Sequence, residues 1–220
     1  MLTTAILFLA SSAGLASADF LNKRQSTNGT TQAAVVDATY DGQCFYPKPT
    51  DNFDLTSYLG RWYQVAGTIA PFTANCKCIR ADYALNDNGT VNVQNACEAQ
   101  GQVVNIEGTA TPVSQYAGYG HVGVLRVQFP GQPAPDCPGP NYIVQDIGSG
   151  SANDDCHDID AARDDSFAIV QASNFSTLFV LSRMQAPGNA SIEAWLKRAE
   201  RLGSDLSNVV VTDQSGCQSS

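Results

Sequence analysis

The stretch Leu55-Thr56-Ser57-Tyr58-Leu59-Gly60-Arg61-Trp62-Tyr63-Gln64-Val65-Ala66 decides how the chain is read. Gly60 stands two residues before Trp62 and opens a run that alternates large and small residues. Glycine frees the backbone for a tight entry, and the alternation has the period of a strand whose tryptophan faces a core. A Gly-x-Trp alone marks only a buried tryptophan at a strand start. A second stretch adds weight: Thr177-Leu178-Phe179-Val180-Leu181-Ser182-Arg183 also alternates, with Arg183 ending the face that carries Phe179 and Leu181. A cation closing an apolar face needs a partner, and an indole face supplies one in a contact of about 0.5–2 kcal/mol.

Further pieces extend the pattern. They are Asn52-Phe53-Asp54, Cys78-Ile79-Arg80-Ala81-Asp82-Tyr83, Asn88-Gly89-Thr90, Ile106-Glu107-Gly108-Thr109-Ala110-Thr111-Pro112-Val113 and Val211-Thr212-Asp213-Gln214-Ser215-Gly216-Cys217. Together, and in this order over residues 44–217, they resemble the lipocalins, and within them the branch around apolipoprotein D and the bacterial lipocalins. The resemblance implies an all-β fold, an eight-stranded antiparallel up-and-down β-barrel with one C-terminal α-helix packed on its wall. It also implies a floor closed by Gly60, Trp62 and Arg183. It says little about which ligand the barrel holds.

Period and turn chemistry locate the strands. Gly60 to Gly67 is the first, and Pro71-Phe72-Thr73-Ala74-Asn75 loops to a second, Cys76 to Leu85. There Cys78, Arg80 and Asp82 share one face; the other face, Ile79, Ala81 and Tyr83, is the inward one. Asn88-Gly89 turns the chain into Thr90 to Glu98 with Val91 and Val93 buried. Gln102 to Ala110, His121 to Phe129, Tyr142 to Ile147, Phe167 to Ala172 and the Arg183 strand bring the number to eight, enough to close around one small ligand or a filling of side chains. Beyond Pro187-Gly188, the helical spacing of Ile192, Trp195, Leu196, Ala199 and Leu202 predicts an amphipathic helix on the barrel wall, ended by Gly203. Val209 to Val211 returns as an edge strand.

Residues 1–18 carry the apolar run Ala5-Ile6-Leu7-Phe8-Leu9-Ala10 and close on Ala16-Ser17-Ala18, a signal-peptide pattern too short to cross about 30 Å of hydrocarbon. Residues 19–24 end in Lys23-Arg24 and read as a propeptide; 25–43, without periodicity, read as a flexible lead-in; 44–217 form the lipocalin domain and 218–220 a tail. The chain is expected to be secreted. A net charge of −9 gives it no electrostatic reason to seek nucleic acid or anionic lipid, and no other apolar run is long enough for a transmembrane segment.

Seven cysteines in an exported chain imply disulfides with one cysteine left over, and the count leaves the oligomeric state open. The resemblance implies a bridge between Cys78 and Cys217. Cys44 also matches a family cysteine, but Ser173 occupies its usual partner's position, so Cys137 and Cys156 are the candidates. Cys76 lies near Cys97 across the hairpin turned at Asp87-Asn88-Gly89. A thiolate metal site at Cys76 and Cys78 is the sharper alternative, and an oxidising export route favours bridges over it. Gly148 to Asp165 is an acidic insert without calcium-loop spacing, so no metal is expected there. The family's short Thr-Asp-Tyr signature has no clean match near it, with Asp146 or Asp165 standing in for the acid. Sequons fall at Asn28, Asn88, Asn174 and Asn189, the first two in exposed tail and turn.

The inward positions are Gln64 and Ala66 of the first strand, Ile79, Ala81 and Tyr83 of the second, and Val91 and Val93 of the third. Later strands add Leu125, Val127, Phe129, Ile169, Phe179 and Leu181. An apolar wall with one phenol and one amide is the usual make-up of a small-molecule pocket. Burial contributes roughly 25 cal/mol per Å² of apolar surface, so a molecule of about 300 Å² gains several kcal/mol before entropic costs. The expected partner is therefore a small hydrophobic ligand, with no cofactor and no catalytic residue assigned. An isomerase, cyclase or de-epoxidase on this fold is the alternative, and it needs a titratable group inside. His121 stands at a strand start and His157 in the acidic insert, which leaves Tyr83 or an unassigned inward carboxylate as the acid. An extracellular interaction glycoprotein is the third reading, favoured if the interior is packed solid.

Overall fold

Gly60 adopts φ +90°, a backbone region that favours glycine, and turns the chain from a short helix straight into the strand that carries Trp62. The computed structural model describes residues 36–70, 73–113, 123–148 and 166–218. In chain order they form β1 (Ala38–Tyr40), β2 (Phe45–Pro47), α1 (Leu55–Tyr58), β3 (Gly60–Thr68), β4 (Lys77–Leu85), β5 (Val91–Ala99) and β6 (Gln102–Pro112). There follow β7 (Val124–Gln128), β8 (Tyr142–Gly148), β9 (Phe167–Gln171), β10 (Leu178–Ser182), α2 (Asn189–Arg201) and β11 (Val209–Val211). Strands β3 to β10 each pair antiparallel with their sequence neighbour, and β10 returns to pair with β3, closing an eight-stranded barrel. β11 adds to the Ala66–Thr68 end of β3. The segments read as signal peptide and propeptide, Asn28, His121, His157, Cys156, Asp165 and nearly all of the acidic insert lie outside the described residues.

The floor is held by Arg183. Its guanidinium carbon lies 3.9 Å from the Trp62 ring centroid. Nη1 donates to Arg61 O at 2.6 Å, and Nη2 donates to Ser57 O at 2.7 Å and Leu59 O at 2.9 Å. Trp62 Nε1 in turn donates to Tyr58 O at 2.8 Å. One side chain thus covers the indole and ties three carbonyls of the α1–β3 corner to the end of β10.

Apolar residues pack on both sides of the wall. Inside, Phe53, Tyr58, Trp62, Val91, Val93 and Leu181 gather at the closed end. Outside, Ile192, Trp195 and Ala199 of α2 cover Val65, Phe167 and Val180, with Trp195 stacked on Phe167 at 5.3 Å between centroids. Arg198 forks onto both carboxylate oxygens of Asp146, fastening α2 to β8. Gly203, at φ +99°, ends the helix where the spacing predicts.

Two expected inward residues are corrected. Ala66 and Ile169 belong to the cluster beneath α2 and not to the interior. In β3 the register slips opposite Val180/Leu181, leaving Val65 as an extra residue, so the inward face passes from Gln64 to a position beyond Ala66. In β9 every residue is buried, so alternation carries no sign of which face is which; Ala168 and Val170 point inward instead. A third difference is local. Ala38–Tyr40, in the segment 25–43 read as a flexible lead-in, forms a strand that pairs with Phe45–Pro47 of the domain, and three residues are too few for a period to appear.

The bridges are Cys44–Cys137, Cys76–Cys97 and Cys78–Cys217. The first ties the β1–β2 hairpin to the segment between β7 and β8. There Asn174 accepts from Phe45 N at 2.8 Å and donates Nδ2 toward both sulfurs.

Arg183→Ala is expected to lower unfolding free energy by about 1–3 kcal/mol through an uncovered indole and lost packing. Urea melts test this, and an unchanged midpoint would contradict the floor assignment. Cys78–Cys217 spans 139 residues. Replacing both cysteines by alanine should cost about 4–5 kcal/mol in the chain-entropy account, read as a lower denaturant midpoint with the barrel's circular dichroism retained.

Candidate functional site

Alternation along the closed strands turns one set of side chains into a common hollow. The barrel holds a cavity of about 1130 Å³, somewhat above the roughly 300–1,000 Å³ of small-molecule pockets. Its wall carries Ile79, Ala81 and Tyr83 from β4, Val91 and Val93 from β5, Leu125 and Val127 from β7, and Phe179 and Leu181 from β10; Gln64 and Phe129 also reach it. Of the thirteen inward positions read from the sequence, only Ala66 and Ile169 are absent from this lining. Gly108 explains how Phe129 fits, because a Cβ there would stand 2.5 Å from the Phe129 ring and 2.5 Å from Gln128 O. At the end opposite Trp62, the cavity opens past Pro130, Pro133 and Pro135, which follow β7. Arg126 holds this segment by donating to the carbonyls of Cys137 and Pro138 at 2.9 Å each, and to that of Gly139.

At the closed end, polarity is concentrated in three phenols. Tyr142 Oη lies 2.6 Å from Tyr58 Oη and 3.0 Å from Tyr83 Oη. Tyr58 stacks on Tyr83 at 5.7 Å and tilts against Trp62 at 5.1 Å. Burial dominates the electrostatics, because removing water from a phenolate penalises the charged form. It pushes the Tyr83 hydroxyl up to about 12, and carries Tyr58 and Tyr142 well above the ordinary tyrosine value. All three are therefore neutral donors near neutral pH. Further up the wall, Asn95 Oδ1 is buried without a hydrogen-bond partner among the described residues.

Sequence reading found Tyr83 and missed Tyr58, Tyr142 and Asn95. Asn95 was within reach, since the alternation of Val91 and Val93 continues to it. Tyr58 and Tyr142 had no such signal, because their meeting with Tyr83 joins a helix to strands far apart in the chain.

The remaining assignments sort by position. Cys78, Glu98 and Cys217 cluster closely, but the sulfurs are bonded to each other and offer no thiolate to a metal. Cys76 likewise is spent on Cys97, so the Cys76/Cys78 metal alternative is overturned. Asp146 is engaged by Arg198. Asn88 is exposed in the β4–β5 turn, its Oδ1 accepting from Thr90 N at 3.1 Å, and Asn189 is exposed at the start of α2. Asn174 Nδ2, the atom a glycan would take, is directed at the Cys44–Cys137 bridge.

A family model described as a lipocalin-like domain matches residues 53–214. Apolipoprotein D of Bos taurus is 41% identical over 85 residues, 38% of this chain and 44% of that protein. Bilin-binding protein of Pieris brassicae is 38% identical over 81 residues, 37% of this chain and 42% of that protein. The chain thus spans less than half the length of these relatives. Among solved structures, insecticyanin of the tobacco hornworm Manduca sexta superposes with a TM-score of 0.52 at 20% identity, covering 82% of this chain and 90% of that one.

The phenols generate a pH prediction. Their folded values lie above the unfolded value near 10, so the folded chain keeps protons that the unfolded chain releases. Their contribution is fully present below pH 10 and is lost as pH rises through about 12, the Tyr83 value. Alkaline titration followed by phenolate absorbance should show part of the eight tyrosines ionising only as the barrel unfolds. A single smooth titration of all of them with the fold intact would contradict the buried trio.

Proposed function

The chain belongs to the lipocalin family, and from that premise we propose that it is an exported carrier holding one small hydrophobic molecule, a lipid, sterol, pigment or similar metabolite, in the barrel interior. The observation that carries this reading is the hollow itself: about 1130 Å³ walled by aliphatic and aromatic side chains and open at one end. Apolar surface entering it leaves water at roughly 25 cal/mol per Å². The name of bilin-binding protein, a relative over part of the chain, points to the same class of ligand. Export is supported by the signal-like pattern of residues 1–18 and by three disulfides, which persist in oxidising compartments.

The enzymatic alternative gains no support from Tyr83. A general acid works best with a pKa near the working pH, whereas burial leaves the Tyr83 phenol holding its proton up to about 12. An interior packed solid would have favoured the interaction-glycoprotein alternative, and the interior is hollow.

Native mass spectrometry of the protein collected from culture medium, followed by solvent extraction, tests the carrier reading. The expected result is one apolar molecule per chain, with uptake reduced in Val127→Trp, which places a large ring in the lining. A protein that emerges empty and takes up no apolar probe would overturn it.

A further inference from the structure

The closed end of the cavity holds one more hydroxyl proton than its own hydrogen bonds can use. Tyr58, Tyr83 and Tyr142 all line the cavity, and each phenol has a single proton to donate. Tyr142 sits between the other two, at 2.6 Å and 3.0 Å. The two contacts consume two of the three protons whichever way they run, because Tyr142 cannot donate to both partners. If both neighbours donate to Tyr142, its own proton is left over; if the chain runs one way, the proton of Tyr83 or Tyr58 is left over. Among the described residues these two contacts are the hydrogen bonds of the three hydroxyls. A buried donor without an acceptor is unfavourable, so the arrangement is completed by an oxygen brought in from outside.

We propose that the Tyr58–Tyr142–Tyr83 trio is the ligand-selecting element of the cavity, and that it takes the neutral carbonyl oxygen of a ketone or ester at the leading end of an otherwise apolar molecule. The proposal rests on the carrier reading and deepens it. A carbonyl matches the site because it accepts one hydrogen bond and brings neither charge nor proton. A carboxylate does not match. The leftover donor is single and neutral, burial keeps all three phenols protonated, and the nearby Arg183 directs its Nη groups at the carbonyls of Ser57, Leu59 and Arg61. Asn95 Oδ1 on the lining is a further acceptor and offers an anion no hydrogen bond. Burying an unpaired anion among such groups is costly. A plain hydrocarbon fits the walls but leaves the proton unpaired.

Three probes of equal chain length separate these cases: a long-chain methyl ketone, the corresponding alkane and the corresponding carboxylate. Each is titrated into the full-length protein and followed by quenching of tryptophan fluorescence. The ketone should bind about fivefold tighter than the alkane, the factor expected of one net hydrogen bond, and tighter than the carboxylate at neutral pH. The infrared carbonyl stretch of the bound ketone should lie below its value in hydrocarbon solvent. In Tyr58→Phe/Tyr83→Phe/Tyr142→Phe, which removes every donor of the trio, the preference and the frequency shift should both vanish while the alkane still binds. If that variant does not fold, the frequency in the wild-type protein decides by itself. Equal binding of ketone and alkane, with the carbonyl at its hydrocarbon frequency, overturns the role of the trio and leaves the carrier reading standing. Tighter binding of the carboxylate than of the ketone overturns the choice of a neutral group. Binding of none of the probes overturns the carrier reading and the trio with it.

Discussion

The guanidinium of Arg183 lying on the indole of Trp62 is the constraint from which the rest of the barrel is hung. Closing a sheet into a barrel leaves an open end where water can reach the core, and a large flat ring is the economical plug. The ring needs cover on its outer face, and Arg183 supplies it while donating to three carbonyls at the corner between α1 and β3. Two of those carbonyls, of Ser57 and Leu59, lie at the end of a short helix and would otherwise depend on solvent. The same side chain joins the first barrel strand to the last, next to the β3–β10 pairing that closes the cylinder.

With one end sealed, the interior is left for something other than structure. The floor cluster is aromatic and well packed, but above it the wall residues are of modest size and do not meet across the barrel, leaving about 1130 Å³ of space. Packing that elsewhere fills a core is transferred to the outside, where α2 brings Trp195 down on Phe167 and the outer faces of β3, β9 and β10. The fold is thus stabilised from both ends of the radius, by the floor within and the helix without. A hollow at the centre is tolerable because neither contact depends on it.

The disulfides follow the same logic. Cys78–Cys217 fastens the chain after β11 to β4, and Cys44–Cys137 fastens the first hairpin beside the segment that leads from β7 to the cavity mouth. The first joins an irregular segment to a barrel strand and the second joins two irregular segments, where strand pairing cannot reach. The mouth is therefore framed by chain held covalently and by the Arg126 contacts, and its shape does not depend on strand hydrogen bonds alone.

Much of this was legible before any coordinates. The family resemblance implied the floor of Gly60, Trp62 and Arg183, while eight alternating runs announced the barrel and the helical spacing of Ile192, Trp195 and Ala199 announced the packed helix, because period is a local property. Local patterns could not say that Val65 would be an extra residue against β10 and turn Ala66 outward, nor which face of the fully buried β9 was the inner one. They also left Cys44 between two candidate partners until its bridge to Cys137 was seen. Least visible was the meeting of Tyr58, Tyr83 and Tyr142, three hydroxyls from a helix and two strands that share no sequence period. The sequence by itself determined the closed, greasy cup. Only the tertiary structure decided where polarity sits inside it, because hydrogen bonds between distant side chains are set by how the strands tilt and close, and no single strand carries that information.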